Sequence, residues 1–157
     1  MAGNIVWKEQ AIVTLTSSGA SLTNLSAGSA GTALDCRVGG NAADLIAATF
    51  SLQCQCGTVT GITAGTVIAD LYLVPAIDGT NYPDVDTTAG ASYIAHPMRV
   101  GQFVAPKAMT ASTNMLFQSA PVDILPLLYT AYIKNFCGQT ISANWTLKAV
   151  AAGVQYT

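Results

Sequence analysis

The sequence predicts an all-β domain, an antiparallel sandwich of about eight short strands, on three observations. Apolar residues alternate with polar ones at period two through much of the chain. The apolar runs are short and are separated by clusters of Gly, Ser, Asn and Asp, the residues that form turns. Charged residues make up only 9% of the 157 positions, against an ordinary share of about 25%. Ser, Thr, Asn, Gln, Gly and Ala must therefore supply most of the surface.

The elements follow in order. Residues 12–16 form the first strand-like run and end at Ser17-Ser18-Gly19. The small-residue stretch 26–31 leads to a second run at 33–38. Residues 41–48 contain good helix formers behind a capping Asn41, yet the stretch is short and merges into an alternating segment. It reads as a loop entering a strand. That strand, 49–56, places Phe50, Leu52, Cys54 and Cys56 on an inner face, with hydroxyls and amides outside, as expected of a sheet with one wet side. A Gly-bearing turn at 57–65 precedes 67–74, which is apolar on both faces except at Asp70 and so is central or covered. Pro75 and the Asp78-Gly79 turn close it. Runs at 98–104, 115–118, 127–136 and 145–150 complete the set, the last two separated by Cys137-Gly138. Such a series is the pattern of a sandwich or a barrel.

Size predicts one domain over residues 1–157, with 1–10 as a candidate N-terminal arm. A hydrophobic content of 51% is ample for folding, and a net charge of −2 gives little repulsion between copies. Two Arg and four Lys, scattered over the whole length, form no basic patch, so nucleic acid is not an expected partner. Neither a secretory signal pattern nor an apolar run of 18 residues is present, so no membrane partner is expected. Asn24-Leu25-Ser26 and Asn144-Trp145-Thr146 are read as chance matches to the glycosylation acceptor. Cys36, Cys54, Cys56 and Cys137 lack C-x-x-C spacing and are read as buried free thiols. A Cys-x-Cys metal clip and a disulfide are the alternatives.

Catalytic chemistry finds few candidates. The chain has one His, His96 before Pro97, and one Glu, Glu9. Gly19-Ala20-Ser21 and Gly90-Ala91-Ser92 both lack the second Gly of a nucleophile elbow. No enzyme and no cofactor is expected, and His96 is read as a loop residue. Asp78, Asn81, Asp84 and Asp86 offer oxygens in one loop, but their spacing is not that of an EF-hand. Asp and Asn favour turns in their own right, so the loop reads as a turn, with calcium as the alternative. Aromatic residues on strands are mostly assigned to the core. Tyr82 and Tyr93 in the long connection, with Trp7 near the N-terminus, are the candidate interface residues.

Several stretches in order also carry a family resemblance. They are Ala11-Ile12-Val13-Thr14-Leu15 followed by Ala20-Ser21-Leu22-Thr23-Asn24-Leu25, the small-residue run closing on Leu34-Asp35, and the alternating strand to Cys56. Next come Leu71-Tyr72-Leu73-Val74-Pro75-Ala76-Ile77-Asp78-Gly79-Thr80-Asn81-Tyr82 and Val100-Gly101-Gln102-Phe103. Tyr129-Thr130-Ala131-Tyr132-Ile133-Lys134-Asn135-Phe136 and Cys137-Gly138-Gln139 complete them. In texture and order the chain resembles the jelly-roll decoration or cement proteins of tailed-bacteriophage heads. It departs from them at 83–96, which is longer and less Gly-rich. The resemblance implies a jelly-roll-like virion structural protein bound to the outer capsid surface, with the major capsid protein and further copies of itself, often as a trimer, for partners. The competing expectation is a receptor- or carbohydrate-binding sandwich of a tail or fibre.

Overall fold

The computed structural model describes residues 5–9, 11–16, 20–37, 44–85 and 98–156. Among them lie eleven strands and no helix. In chain order these are β1 (Ile5–Glu9), β2 (Val13–Thr16), β3 (Ala27–Ser29), β4 (Leu34–Asp35), β5 (Asp44–Cys54) and β6 (Val67–Ala76). They continue with β7 (Met98–Val104), β8 (Met115–Gln118), β9 (Val122–Asp123), β10 (Leu128–Asn135) and β11 (Thr146–Tyr156). One sheet has six strands in the order β1-β11-β5-β8, with β2 also on β11 and β9 also on β5. The other has five, in the order β3-β10-β6-β7, with β4 also on β10. Every pairing is antiparallel.

Three of the strands are broken rather than separate. From Glu9 opposite Ala152 to Val13 opposite Ala149, four residues advance on one side against three on the other. The same offset separates Gln118 opposite Ser51 from Val122 opposite Ala48. Ser29 opposite Tyr132 and Leu34 opposite Tyr129 differ by five against three. Joining β1 with β2, β3 with β4 and β8 with β9 leaves eight strands, ordered 1-8-3-6 in one sheet and 2-7-4-5 in the other. That connectivity is a jelly roll, two Greek keys folded face to face.

Chemistry explains one of the breaks in detail. At Ser119 the backbone N–H donates to the Phe50 carbonyl at 2.9 Å. The Ser119 Oγ accepts the Phe50 N–H at 3.1 Å, so a side chain replaces a missing ladder partner. Pro121 then cannot donate at all, and pairing resumes only at Val122. Pro75 sits within β6 opposite Tyr129, beyond Leu73, where the β7 ladder ends. Its missing N–H therefore interrupts no hydrogen bond.

The core lies between the sheets. Phe50, Leu52, Cys54 and Cys56 are all 1% exposed or less, as their alternation predicts. Leu15, Leu71, Leu73, Phe103, Phe117, Tyr129, Ile133 and Leu147 fill the rest. β6 is central, flanked by β10 and β7, which explains its apolar character on both faces. Several boundaries differ from expectation. The strand expected at 49–56 starts earlier, at Asp44, absorbing part of the short helix-forming stretch. The one expected at 145–150 runs on to Tyr156. β1, β3 and β9 are additional, and residues 5–9 of the candidate arm are paired along β11.

Candidate functional site

Three exterior regions hold the residues that could make contacts. The first is the turn after β6. Gly79 adopts a φ of 80°, a conformation that favours glycine, and its N–H donates to Ala76 O at 2.9 Å. The Asp78 carboxylate accepts the N–H groups of Thr80 at 2.9 Å and Asn81 at 2.7 Å, and the Asn81 side-chain amide at 2.8 Å. These donors favour its charged form and hold its pKa below the ordinary value, the Asn81 N–H most of all. The carboxylate is thus engaged in building the turn, as Asx chemistry predicts. Among the described residues no three His, Cys, Asp or Glu side chains converge on a metal position.

Arg37 ties this turn to the end of β4. Its guanidinium forks the Asp35 carboxylate at 2.8 and 2.6 Å and donates to Gly79 O at 3.0 Å. The fork depresses the Asp35 pKa. Tyr82 lies beside this pair, half-buried, with its hydroxyl buried and without a hydrogen-bond partner. Burial raises its pKa, with the Arg37 charge acting against the rise. The ring lines an open depression of about 400 Å³ with Pro75, Ile77, Asp78, Asn81 and Pro83, and Ile77 stands 80% exposed at its rim. Trp7 has its backbone opposite Val154 on β11. Since β5 begins and β6 ends at that end of the sandwich, Trp7 and Tyr82 belong to the same pole. Tyr93, His96 and Asp86 lie outside the described residues.

The second region is the outer face of the five-stranded sheet. Ala69, Leu71, Leu73, Ala131 and Ile133 point into the core, so Asp70, Tyr72, Tyr132 and Lys134 take the opposite side. Tyr72 and Tyr132 face each other directly across β6 and β10, and Arg99 faces Tyr72 from β7. In the next row Gln102, Asp70 and Lys134 are aligned. Asp70 is 6% exposed. It accepts Arg99 Nε at 2.8 Å, Arg99 Nη2 at 3.1 Å and Gln102 Nε2 at 2.9 Å, which accounts for a carboxylate in a central strand. Burial, and then the Asp70 charge, raise the Tyr72 pKa. Lys134 Nζ sits 5.6 Å from the centre of the Phe136 ring, within cation–π range.

The third region is the outer face of the six-stranded sheet. Registered rows place Thr14, Lys148, Ser51 and Gln118 side by side, next to Thr146, Gln53 and Leu116. Thr49 and Val150 form a further row. Ile12 and Leu116 are 66% and 59% exposed. A shallow hollow of about 190 Å³ runs between Ile12, Thr49, Gln118, Lys148 and Val150. These rows carry hydroxyls, amides and aliphatic side chains, with Lys148 as their charge.

The interface candidates read from sequence thus meet different fates. Tyr82 can be placed, and its hydroxyl turns inward; nothing is described of the Trp7 side chain or of Tyr93. Of the strand aromatics, Phe50, Phe103, Phe117, Tyr129 and Trp145 are core, as expected. Tyr72, Tyr132 and Phe136 are not: the two tyrosines are half-buried on an outer face, and Phe136, just past β10, is 38% exposed. Their signal was present in the strand period, since each shares parity with a charged neighbour two residues away, Asp70 or Lys134.

No family model matches the sequence, and no curated protein matches it. Solved structures with a related outline include a carbohydrate-binding module of Cellvibrio mixtus lichenase 5A in complex with cellotriose. It is 11% identical, with 98% of each chain covered and a TM-score of 0.38. Infectious bursal disease virus, Gx strain, is 12% identical over 95% of this chain and 36% of that one, with a TM-score of 0.38. A decameric BFDV capsid protein is 8% identical over 99% and 98%, with a TM-score of 0.35. At these scores the likenesses carry no functional argument, and the fold assignment rests on the strand order itself.

Proposed function

We propose that the chain is a non-enzymatic virion structural protein that binds the outer surface of a phage capsid and stabilises or decorates it. The observation that carries this reading is the outer face of the six-stranded sheet. Its rows of Thr, Ser and Gln, edged by Ile12 and Leu116, form an area with little charge to desolvate. Burying such a face against another protein avoids the several kcal/mol that stripping water from unpaired ions costs. Jelly rolls commonly serve as capsid domains and as lectins, so the fold is compatible without deciding the function. The major capsid protein and further copies of this chain are the partners in this reading, and Trp7, Tyr82 and Tyr93 are its candidate contact residues. A ligand that binds only the assembled shell stabilises it by about 2.7 kcal/mol per site at a hundredfold excess over Kd.

The test is to add the purified chain to shells that lack it, sediment them and image the particles. Regular density on the head lattice supports the reading. Failure to co-sediment, or density confined to the tail, overturns it.

A receptor- or carbohydrate-binding module of a tail or fibre is the second reading, favoured by one observation. Tyr72 and Tyr132 form a paired aromatic surface beside the polar groups of Arg99, Asp70 and Gln102, a combination suited to stacking and hydrogen bonding. Glycan binding that disappears in Tyr132→Ala while the shell interaction is absent would decide for this alternative.

A further inference from the structure

We propose that Cys56 and Cys137 are a latent cross-sheet disulfide, closed by exchange with a low-molecular-weight disulfide. The two sulfurs are 3.9 Å apart, close enough for small side-chain rotations to bring them within bonding distance. They come from different layers. Cys56 follows β5 of the six-stranded sheet, and Cys137 follows β10 of the five-stranded one. Both are buried, at 0% and 6% exposure.

The surroundings hold both thiols in position. Cys56 is bridged to Ile141, and its carbonyl accepts the Ser112 N–H at 2.9 Å. The Cys137 N–H donates to Asn135 Oδ1 at 3.0 Å, and its Sγ contacts Gln139 O at 3.3 Å. Gly138, at a φ of 75°, makes the turn directly after it. Cys137 is therefore the thiol nearer the surface, at the start of an exposed turn.

The two thiols also divide the chemistry. The S–H of Cys56 can donate to a thiolate on Cys137, which lowers the Cys137 pKa below the ordinary thiol value and raises that of Cys56. Desolvation pushes Cys36 and Cys54 up to about 12, leaving them as unreactive thiols. In the first step the Cys137 thiolate attacks one sulfur of the small disulfide, forming a mixed disulfide and expelling one thiolate. In the second, Cys56 gives up its proton to a departing thiolate and attacks Cys137 Sγ, displacing the second small thiol. The protein loses two hydrogens, and one small disulfide is reduced to two thiols. The resulting link closes a long loop and joins the two sheets at one pole, which restricts the unfolded chain.

The experiment treats the native protein with oxidised glutathione, alkylates the remaining thiols and maps the peptides by mass spectrometry. The expected product has lost two hydrogens, joins the Cys56 and Cys137 peptides, and carries alkylated Cys36 and Cys54. The initial rate should rise with pH over a range below that of an ordinary thiol. Oxidation should raise the melting temperature by roughly 5–15 °C, reversibly with reductant, in the native chain and in Cys36→Ser but not in Cys137→Ser. Four alkylatable thiols after prolonged treatment, a persistent glutathione adduct, or a link through Cys36 or Cys54 overturns the proposal. The peptide map of the native chain decides even where a variant fails to fold.

Discussion

Asn135 should be among the costliest single positions to change. It is fully buried at the end of β10. Its Nδ2 donates to Leu22 O at 2.9 Å and to Gln139 O at 2.6 Å, while its Oδ1 accepts the Cys137 N–H at 3.0 Å. Two acceptors on one side and one donor on the other fix the amide orientation. One side chain thereby fastens the segment before β3 and the turn before β11 to the same strand. Asn135→Ala removes three hydrogen bonds and leaves the Cys137 N–H without its acceptor, while Leu22 O keeps the Ile141 N–H at 2.9 Å and Gln139 O keeps its contact with Cys137 Sγ at 3.3 Å. With about 1–3 kcal/mol for the buried unsatisfied N–H and about 0.5–1.5 kcal/mol for each of the two other lost bonds, the loss should be about 2–5 kcal/mol.

Asn135→Asp keeps the shape and sharpens the test. A carboxylate oxygen would then face two carbonyl oxygens, so the ionised form is disfavoured by both burial and repulsion. The folded-state pKa of this carboxyl would lie above its unfolded value of about 3.9. The folded state then binds the proton more tightly, so stability relative to the native chain is best below about pH 4 and falls as the pH rises through the folded pKa. Urea denaturation of both variants between pH 4 and 8, with unchanged m-values, measures this directly. A loss under about 1 kcal/mol for Asn135→Ala, or stability of Asn135→Asp that does not change with pH relative to the native chain, would refute the reasoning.

Two further outcomes can be measured on the same protein. Tyr129→Phe removes a buried hydroxyl that accepts the Leu125 N–H at 3.0 Å and donates to Leu125 O at 3.1 Å; it should cost about 1–2 kcal/mol, and an unchanged urea midpoint would show that the two bonds contribute nothing net. The lowered pKa of Asp78 means that its contribution to the turn is present above the unfolded carboxyl value and is lost as the pH falls through the folded one. The Thr80 and Asn81 amide resonances should accordingly titrate below 3.8, and a midpoint at or above that value would contradict the Asx geometry.

What could be read from the sequence follows the range of the forces involved. Residues 98–104 and 115–118 were bounded correctly because their apolar runs start and stop at turn-forming residues. The inner face of β5 was visible because hydrophobic burial imposes a strict period of two. β1, β3 and β9 were not visible. Ile5-Val6-Trp7-Lys8-Glu9 shows no alternation, and Ala27-Gly28-Ser29 has side chains too small to signal burial. These strands form through pairing with β11, β10 and β5, which no local pattern reports. The Asp70–Arg99 ion pair joins positions 29 apart, and Tyr82 lies beside Arg37 and Asp35, more than forty positions earlier in the chain. Both are products of tertiary placement. The outward parity of Tyr72 and Tyr132, by contrast, was legible and was outweighed by the tendency of aromatic residues to be core.

The position of β11 governs when a newly made chain can become functional. This strand is the last in chain order, yet it lies inside its sheet, between β1 and β2 on one side and β5 on the other. Until it has left the ribosome, those three strands have unpaired edges and no partner to bridge them. Folding must wait for contacts between residues more than a hundred positions apart, such as Lys8 with Gly153 and Leu15 with Leu147, and long-range closure of this kind is slow. A chain interrupted before Thr146 would be left with the centre of the sheet missing. For a protein proposed to act as many identical copies on one particle, this order of events is a form of proofreading, because only chains that include β11 can present the finished surface.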